Sequence, residues 1–211
     1  LTEYQKGYDQ PMAGNWTSLG PSTPSGIPGI GRINCIRVHP TNPSTIYIGA
    51  PSGGLWISTN DGGSWTTNTD KHQVIGVTDV AFDPVNPNIM YLATGDAWGS
   101  ANYSVGLLKS TDGAATWNPT GLSFAPGNYR MMSKVLVDPT NGNNIIVATS
   151  AGIFRSADAG VTFTMVQAGS FKDAEFMPGT PATVYACGNE FYKSTNSGAT
   201  WTKTTSGLPL G

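Results

Sequence analysis

Charge is the first thing this chain has little of. Asp, Glu, Lys and Arg together make up 11% of its 211 residues, and the net charge is −2. With neither a basic stripe nor an acidic run, the sequence argues against a nucleic-acid partner held through phosphate contacts. Long apolar runs are missing too. No window of about 18 apolar residues occurs, so no membrane-spanning helix is expected. The opening residues Leu1-Thr2-Glu3-Tyr4-Gln5-Lys6 hold no apolar leader, and any secretion signal is expected to have been removed. Cysteine is limited to Cys35 and Cys187, too few for a disulfide framework. They read either as one bridge between the first and last repeat units or as two buried free thiols. Histidine is limited to His39 and His72, without a zinc-ligand spacing, and there is no Gly-Lys-Ser/Thr phosphate loop. On these grounds no metal and no cofactor is expected.

What the chain does have is turn formers, 27 Gly and 15 Pro, arranged in a repeat. Ser58-Thr59-Asn60-Asp61-Gly62-Gly63-Ser64-Trp65 recurs as octapeptides starting at Ser110, Ser156 and Ser194 and ending on Trp117, Phe163 and Trp201. Each has Ser first, Asn60, Asp112, Asp158 or Asn196 third, Gly or Ala fifth, and an aromatic last. The pattern predicts a hairpin. The third side chain accepts hydrogen bonds from turn N–H groups, the glycine supplies a positive φ, and the aromatic plugs the gap between neighbouring sheets. These four Asn/Asp residues are therefore expected to be structural.

A second pattern precedes each octapeptide: strand, Pro/Asn/Gly turn, strand, as in Ile36-Arg37-Val38-His39-Pro40 leading into Ile46-Tyr47-Ile48. Each unit thus reads as strands A, B, C and D. The terminal aromatics are spaced by 52, 46 and 38 residues, the period of propeller blades with variable loops. The expected fold is all-β, a β-propeller of four-stranded antiparallel blades at about 32–68, 76–120, 133–167 and 172–205. Residues 1–14 are expected to be an N-terminal arm ahead of the propeller residues 15–211. Trp16-Thr17 looks like an orphan strand D whose partners are missing, which points to an open arc within a larger propeller. Further blades or a partner chain are then expected to cover its end faces, since isolated domains avoid such exposed apolar surface. A closed ring of four blades is the alternative.

In this scheme the A–B turns and the octapeptide hairpins share one end of the arc. The B–C loops and D-to-A connections share the other, where propellers usually place ligands. Candidates for ligand binding at that end are Arg32 at the head of the first blade, His72, and Asp96 in a Gly-rich loop with Trp98 and Tyr103. Tyr129 and Arg130 complete the set. An exposed Trp/Tyr pair beside a carboxylate suits stacking on a sugar face or docking a peptide. His39 holds the slot of Asp83 and Asp138 in sister units, which assigns it to a turn.

The octapeptides resemble Asp-box (bacterial neuraminidase) repeats. Together with Gly31-Arg32-Ile33-Asn34, Tyr47-Ile48-Gly49-Ala50-Pro51-Ser52-Gly53-Gly54-Leu55-Trp56 and Ala93-Thr94-Gly95-Asp96, they resemble sortilin-like propellers of secreted bacterial proteins. They also resemble the N-terminal propeller of xyloglucanase-type glycoside hydrolases. The resemblance spans about residues 15–205 and implies a secreted or cell-surface protein. In the hydrolase family an Asp precedes a Gly-Gly in the first B–C loop. The matching Pro51-Ser52-Gly53-Gly54 has no carboxylate, and a glycosidase needs two. A sialidase-like site would need three arginines. Arg32, Arg37, Arg130 and Arg155 are available, but Arg32-Ile33-Asn34 only partly matches that family's first motif. The expected function is a binding or assembly scaffold that uses the loop-rich face for protein or glycan contacts. The alternative is the N-terminal part of a polysaccharide-active glycoside hydrolase whose catalytic residues lie outside this segment.

Overall fold

The computed structural model describes residues 31–72, 76–99 and 102–207. The N-terminal arm and the Trp16 strand lie outside the described residues. Among the described residues, sixteen strands form four antiparallel sheets of four. The first blade is β1 (Cys35–Val38), β2 (Ile46–Ala50), β3 (Gly54–Ser58) and β4 (Thr66–Thr67). The second is β5 (Val77–Phe82), β6 (Met90–Thr94), β7 (Gly106–Ser110) and β8 (Asn118–Ser123). The third is β9 (Met132–Asp138), β10 (Asn141–Thr149), β11 (Gly152–Ser156) and β12 (Thr164–Ala168). The fourth is β13 (Phe171–Phe176), β14 (Val184–Gly188), β15 (Phe191–Ser194) and β16 (Thr202–Lys203). Each sheet runs in sequence order, so every connection is a hairpin. The first strands neighbour one another in the order β1, β5, β9, β13, which makes them the inner wall.

Side-chain alternation sends one face of each sheet toward the next blade. Three apolar clusters result, each between consecutive blades. Cys35, Tyr47 and Leu55 meet Val80, Met90, Leu92 and Trp117; Tyr91 and Leu107 meet Met132, Val135 and Ile145; Ile146 and Ile153 meet Phe171, Ala174 and Val184. The outer face of the first blade carries exposed Ile36 (61%) and Val38 (51%) instead. The octapeptide aromatics Trp117, Phe163 and Trp201 belong to the clusters with the preceding blade.

The hairpins share one hydrogen-bond set. The serine Oγ donates to the third side chain and accepts the fifth residue's N–H; for Ser110 the distances are 2.8 Å to Asp112 Oδ1 and 2.9 Å from Ala114 N. The third side chain's Oδ1 accepts the seventh residue's N–H at 2.9 Å in all four. Where the residue is aspartate, Thr116 and Thr162 hydroxyls donate to Oδ2 at 2.6 Å. Where it is asparagine the bond is reversed, Asn60 and Asn196 Nδ2 donating to Ser64 and Thr200. These bonds, with Thr116 and Thr162 foremost, hold the Asp112 and Asp158 carboxyls down to about 2. The fourth residue also ties the two turns of its own blade. Asp61, Gly113, Ala159 and Ser197 donate their N–H to Ser44, Asn88, Asn143 and Ala182 carbonyls.

Two expectations need correction. The cysteines are free, and only Cys35 is buried, its thiol pushed up to about 12 mainly by burial; Cys187 is exposed on the fourth blade. The second blade, expected to end at about residue 120, runs on to Ser123, because Asn118–Ser123 forms strand β8 with Leu122 buried against the third blade. His39 behaves as its slot predicts, its Nδ1 accepting the N–H of Thr41 and Asn42 where Asp83 Oδ1 accepts those of Val85 and Asn86.

Candidate functional site

The D-to-A ends of the inner strands frame a depression of about 360 Å³. Asn34 to Arg37, Thr78 and Asp79, Ser133 and Lys134, and Lys172 and Asp173 line it, one short stretch from each blade. Trp98, in the long B–C loop of the second blade, reaches its edge and is 61% exposed.

Charge alternates along this wall. Arg37 of the first blade donates to Asp79 of the second, and its Nε donates to the Val80 carbonyl at 2.9 Å. Asp79 is buried and also accepts N–H groups from Val80 (2.9 Å) and from Val135 of the third blade (3.1 Å). Burial pushes its carboxyl above the ordinary carboxylate range, against the pull of Arg37 and of the two N–H donors. Lys134 of the third blade pairs with Glu175 and Asp173 of the fourth. Partial burial opposes its charge, but Glu175, Asp79 and Asp173 hold the ammonium above the usual lysine range. The axial carboxylates Asp79, Asp173 and Glu175 are thus each held by a cation of a neighbouring blade.

The expected ligand residues fall into two groups and one outlier. Arg32 donates to the buried carboxylate of Asp96, whose Oδ1 accepts the Trp98 N–H at 3.1 Å. Asp96 therefore fixes the start of the loop that presents Trp98. A Cβ on Gly99 would sit 2.3 Å from Asp96 Oδ2, so only glycine lets the loop turn over that carboxylate. Farther along the loop, Tyr103 packs edge-on against Tyr129, ring centroids 5.0 Å apart. Tyr129 follows a single 3₁₀ turn (Pro126–Asn128), has φ 53°, and is 67% exposed. Arg130 joins this group through its backbone, its carbonyl accepting the Ser104 N–H at 2.8 Å. His72 closes a turn by donating its N–H to Thr69, and no hydrogen bond or ring contact ties it to either group among the described residues. The Pro51–Gly53 loop is pinned from both sides, by Asn102 Nδ2 donating to the Pro51 carbonyl and by Trp56 Nε1 donating to the Gly53 carbonyl.

Sequence reasoning missed Asp79, Lys134 and Asp173, and it named Arg37 only as an arginine available to a sialidase-like site. Their common signal was a charged residue near the start of each strand A, visible once the four units are aligned. No group of three or more His, Cys, Asp or Glu that could hold a metal ion occurs among the described residues.

The architecture is that of β-propeller blades, and comparison with known proteins agrees. No protein-family model matches the chain. A xyloglucanase from Acetivibrio thermocellus is 29% identical over 217 residues, covering 83% of this chain and 26% of the relative. A xyloglucanase from Hypocrea jecorina is 32% identical over 154 residues, covering 65% of this chain and 18% of the relative. The solved structure of the GH74 xyloglucanase from Xanthomonas campestris superposes with a TM-score of 0.67 at 20% identity, covering 86% of this chain and 31% of that one. At that identity the likeness concerns the fold. The chain spans about a quarter of the length of the Acetivibrio relative.

Proposed function

We propose that this chain is the propeller part of a secreted, xyloglucanase-like glycoside hydrolase, and that its axial depression binds a β-glucan backbone. The observation that carries the reading is the position of Trp98, an exposed indole at the edge of a depression walled by Arg37, Lys134, Lys172 and Asp173. An aromatic face takes the apolar face of a pyranose, and charged side chains at its rim bond the hydroxyls. The relatives named above support glucan as the ligand class, favouring the hydrolase alternative over a general scaffold. Arg32 and Asp96 serve as positioning residues for the Trp98 loop. The octapeptides act in this reading as Asp-box turns, remote from the ligand. The acid and base of glycoside hydrolysis are not assigned to this segment, since the Pro51-Ser52-Gly53-Gly54 loop offers no carboxylate.

Titration of the chain with a xyloglucan oligosaccharide tests this. Saturable binding should weaken about tenfold or more in Trp98→Ala, the order expected for losing one stacking platform. Tyr129→Ala should bind as the parent does. Equal affinity of parent and Trp98→Ala would refute the site. A second reading, a peptide-docking scaffold, rests on the exposed Tyr103–Tyr129 pair, and the opposite ranking of those two variants on a peptide library would support it.

A further inference from the structure

One position on the inner strands is turned out of the ladder. Register puts Cys35, Asp79, Lys134 and Asp173 in the same place, opposite Gly49, Ala93, Ala148 and Cys187. The residues just before them are Asn34, Thr78, Ser133 and Lys172. Strand pairing in the second, third and fourth blades skips Thr78, Ser133 and Lys172. Such a one-residue bulge re-aims a side chain. All four residues line the axial depression.

Three of the four side chains are short, and their donors are spent on backbone. Asn34 Nδ2 donates to the Val77 carbonyl at 3.1 Å, Thr78 Oγ1 to that of Gly95 at 3.0 Å, and Ser133 Oγ to that of Phe171 at 2.7 Å. Lys172 is the exception. It is exposed, and no ion pair holds its ammonium among the described residues. The other charges lining the depression are engaged. Arg37 pairs with Asp79, and Lys134 faces Asp173 at 3.4 Å. Asp79 is buried and also accepts the N–H groups of Val80 and Val135. Three cations, Arg37, Lys134 and Lys172, thus stand against two carboxylates in the lining, and the charge left over is that of Lys172.

We propose that the depression takes an acidic glycan, a uronate carboxylate meeting Lys172 while a pyranose face stacks on Trp98. The proposal rests on the glycan reading of this site and deepens it by naming the charge of the sugar. A sugar carboxylate is ionised at neutral pH, and its hydrogen bond to an ammonium is charge-assisted. A neutral sugar leaves the Lys172 charge unanswered. Lysine suits the role, because its ammonium is a point charge on a flexible stem and can follow the carboxylate of a ring held elsewhere by stacking. The volume of about 360 Å³ falls within the range of small-ligand sites.

Isothermal titration of the 211-residue chain compares a xyloglucan oligosaccharide with the same oligosaccharide oxidised at its free primary alcohols to carboxylates. The oxidised form should bind about fivefold tighter at neutral pH and low ionic strength, the order of one partly exposed charge pair. That margin should shrink at high salt. It should vanish in Lys172→Gln and persist in Lys172→Arg. Trp98→Ala should weaken both forms. Oxidised sugar that binds the parent no tighter than the neutral form overturns the proposal. If Trp98→Ala still weakens the neutral form in that case, the glucan reading stands without it. A margin that survives in Lys172→Gln also overturns the proposal and assigns the carboxylate to Arg37 or Lys134. Saturable binding of the oxidised form alone, lost in Lys172→Gln, upholds the anion subsite and overturns the glucan reading instead. Binding of neither form overturns both.

Discussion

At the scale of single residues, the hairpins show how much one position can demand. The turn takes positive φ at two successive residues, for example 56° at Asp61 and 84° at Gly62, or 55° at Ala159 and 87° at Gly160. The glycine half of that requirement is legible in the sequence. The preceding residue is not, because Asp, Ala and Ser at Asp61, Ala159 and Ser197 carry no mark of left-handed backbone. In the second hairpin even the glycine slot holds Ala114, at φ 72° and buried, where its methyl joins the cluster against the first blade. A consequence follows for acid stability. Asp112 and Asp158 have folded-state carboxyls near 2 against an ordinary value of 3.8, so their contribution is complete above 3.8 and is lost as pH falls through about 2. Asp112→Asn with Asp158→Asn, copying the Asn60 and Asn196 geometry, should keep the fold at neutral pH and flatten unfolding below pH 4. Circular dichroism against pH checks this, and an unchanged acid transition would contradict it. The Asp79 carboxyl has the opposite sign. Its value is raised, so its stabilising share is complete below the unfolded value and is lost as pH rises through the folded one. Arg37→Leu removes the cation that offsets this buried charge and should cost about 3 kcal/mol. The loss should be smaller near pH 4 than at pH 7 in chemical denaturation, and equal losses at both would refute the assigned role.

Among the elements, the four antiparallel four-stranded sheets and their strand order were readable because the apolar alternation of strands A and B and the octapeptide endings repeat four times. The lengths of the fourth strands were not. The strands β4 and β16 hold two residues each, while β8 holds six. The difference arises between blades: Gly121 of β8 donates its N–H to the Gly160 carbonyl of the next hairpin at 2.9 Å, which keeps the chain extended. That contact is invisible from the β8 sequence alone. A Cβ at Gly121 would lie 2.1 Å from the Val161 carbonyl oxygen, so Gly121→Ala should destabilise by about 1–3 kcal/mol. Thermal melting measures it, and a neutral effect would show that the second and third blades are not held at this distance. Deleting the fully buried Ile146 side chain with Ile146→Ala should cost about 2–5 kcal/mol through the cluster shared by the third and fourth blades.

For the whole molecule, one relation is used again and again: each blade holds the hairpin of the next. Asn68 of the first blade reaches the Ala114 carbonyl, Tyr91 and Lys109 of the second reach Ala159, and Asn144 and Arg155 of the third reach Ser197. The chemistry differs at each joint, so no conserved-looking motif announces it in the sequence. The axial ladder of Arg37, Asp79, Lys134 and Asp173 escaped notice for the same reason, since its members align only when the four inner strands are placed side by side. The functional account depends on that wall and on Trp98 at its rim. Diffraction from crystals of this chain soaked with a xyloglucan oligosaccharide tests it most directly. A pyranose ring stacked within about 4 Å of the Trp98 indole, over the Lys134 and Asp173 side chains, is the expected result. Sugar bound at the hairpin end, or a ligand-saturated crystal with Trp98 bare, would contradict it.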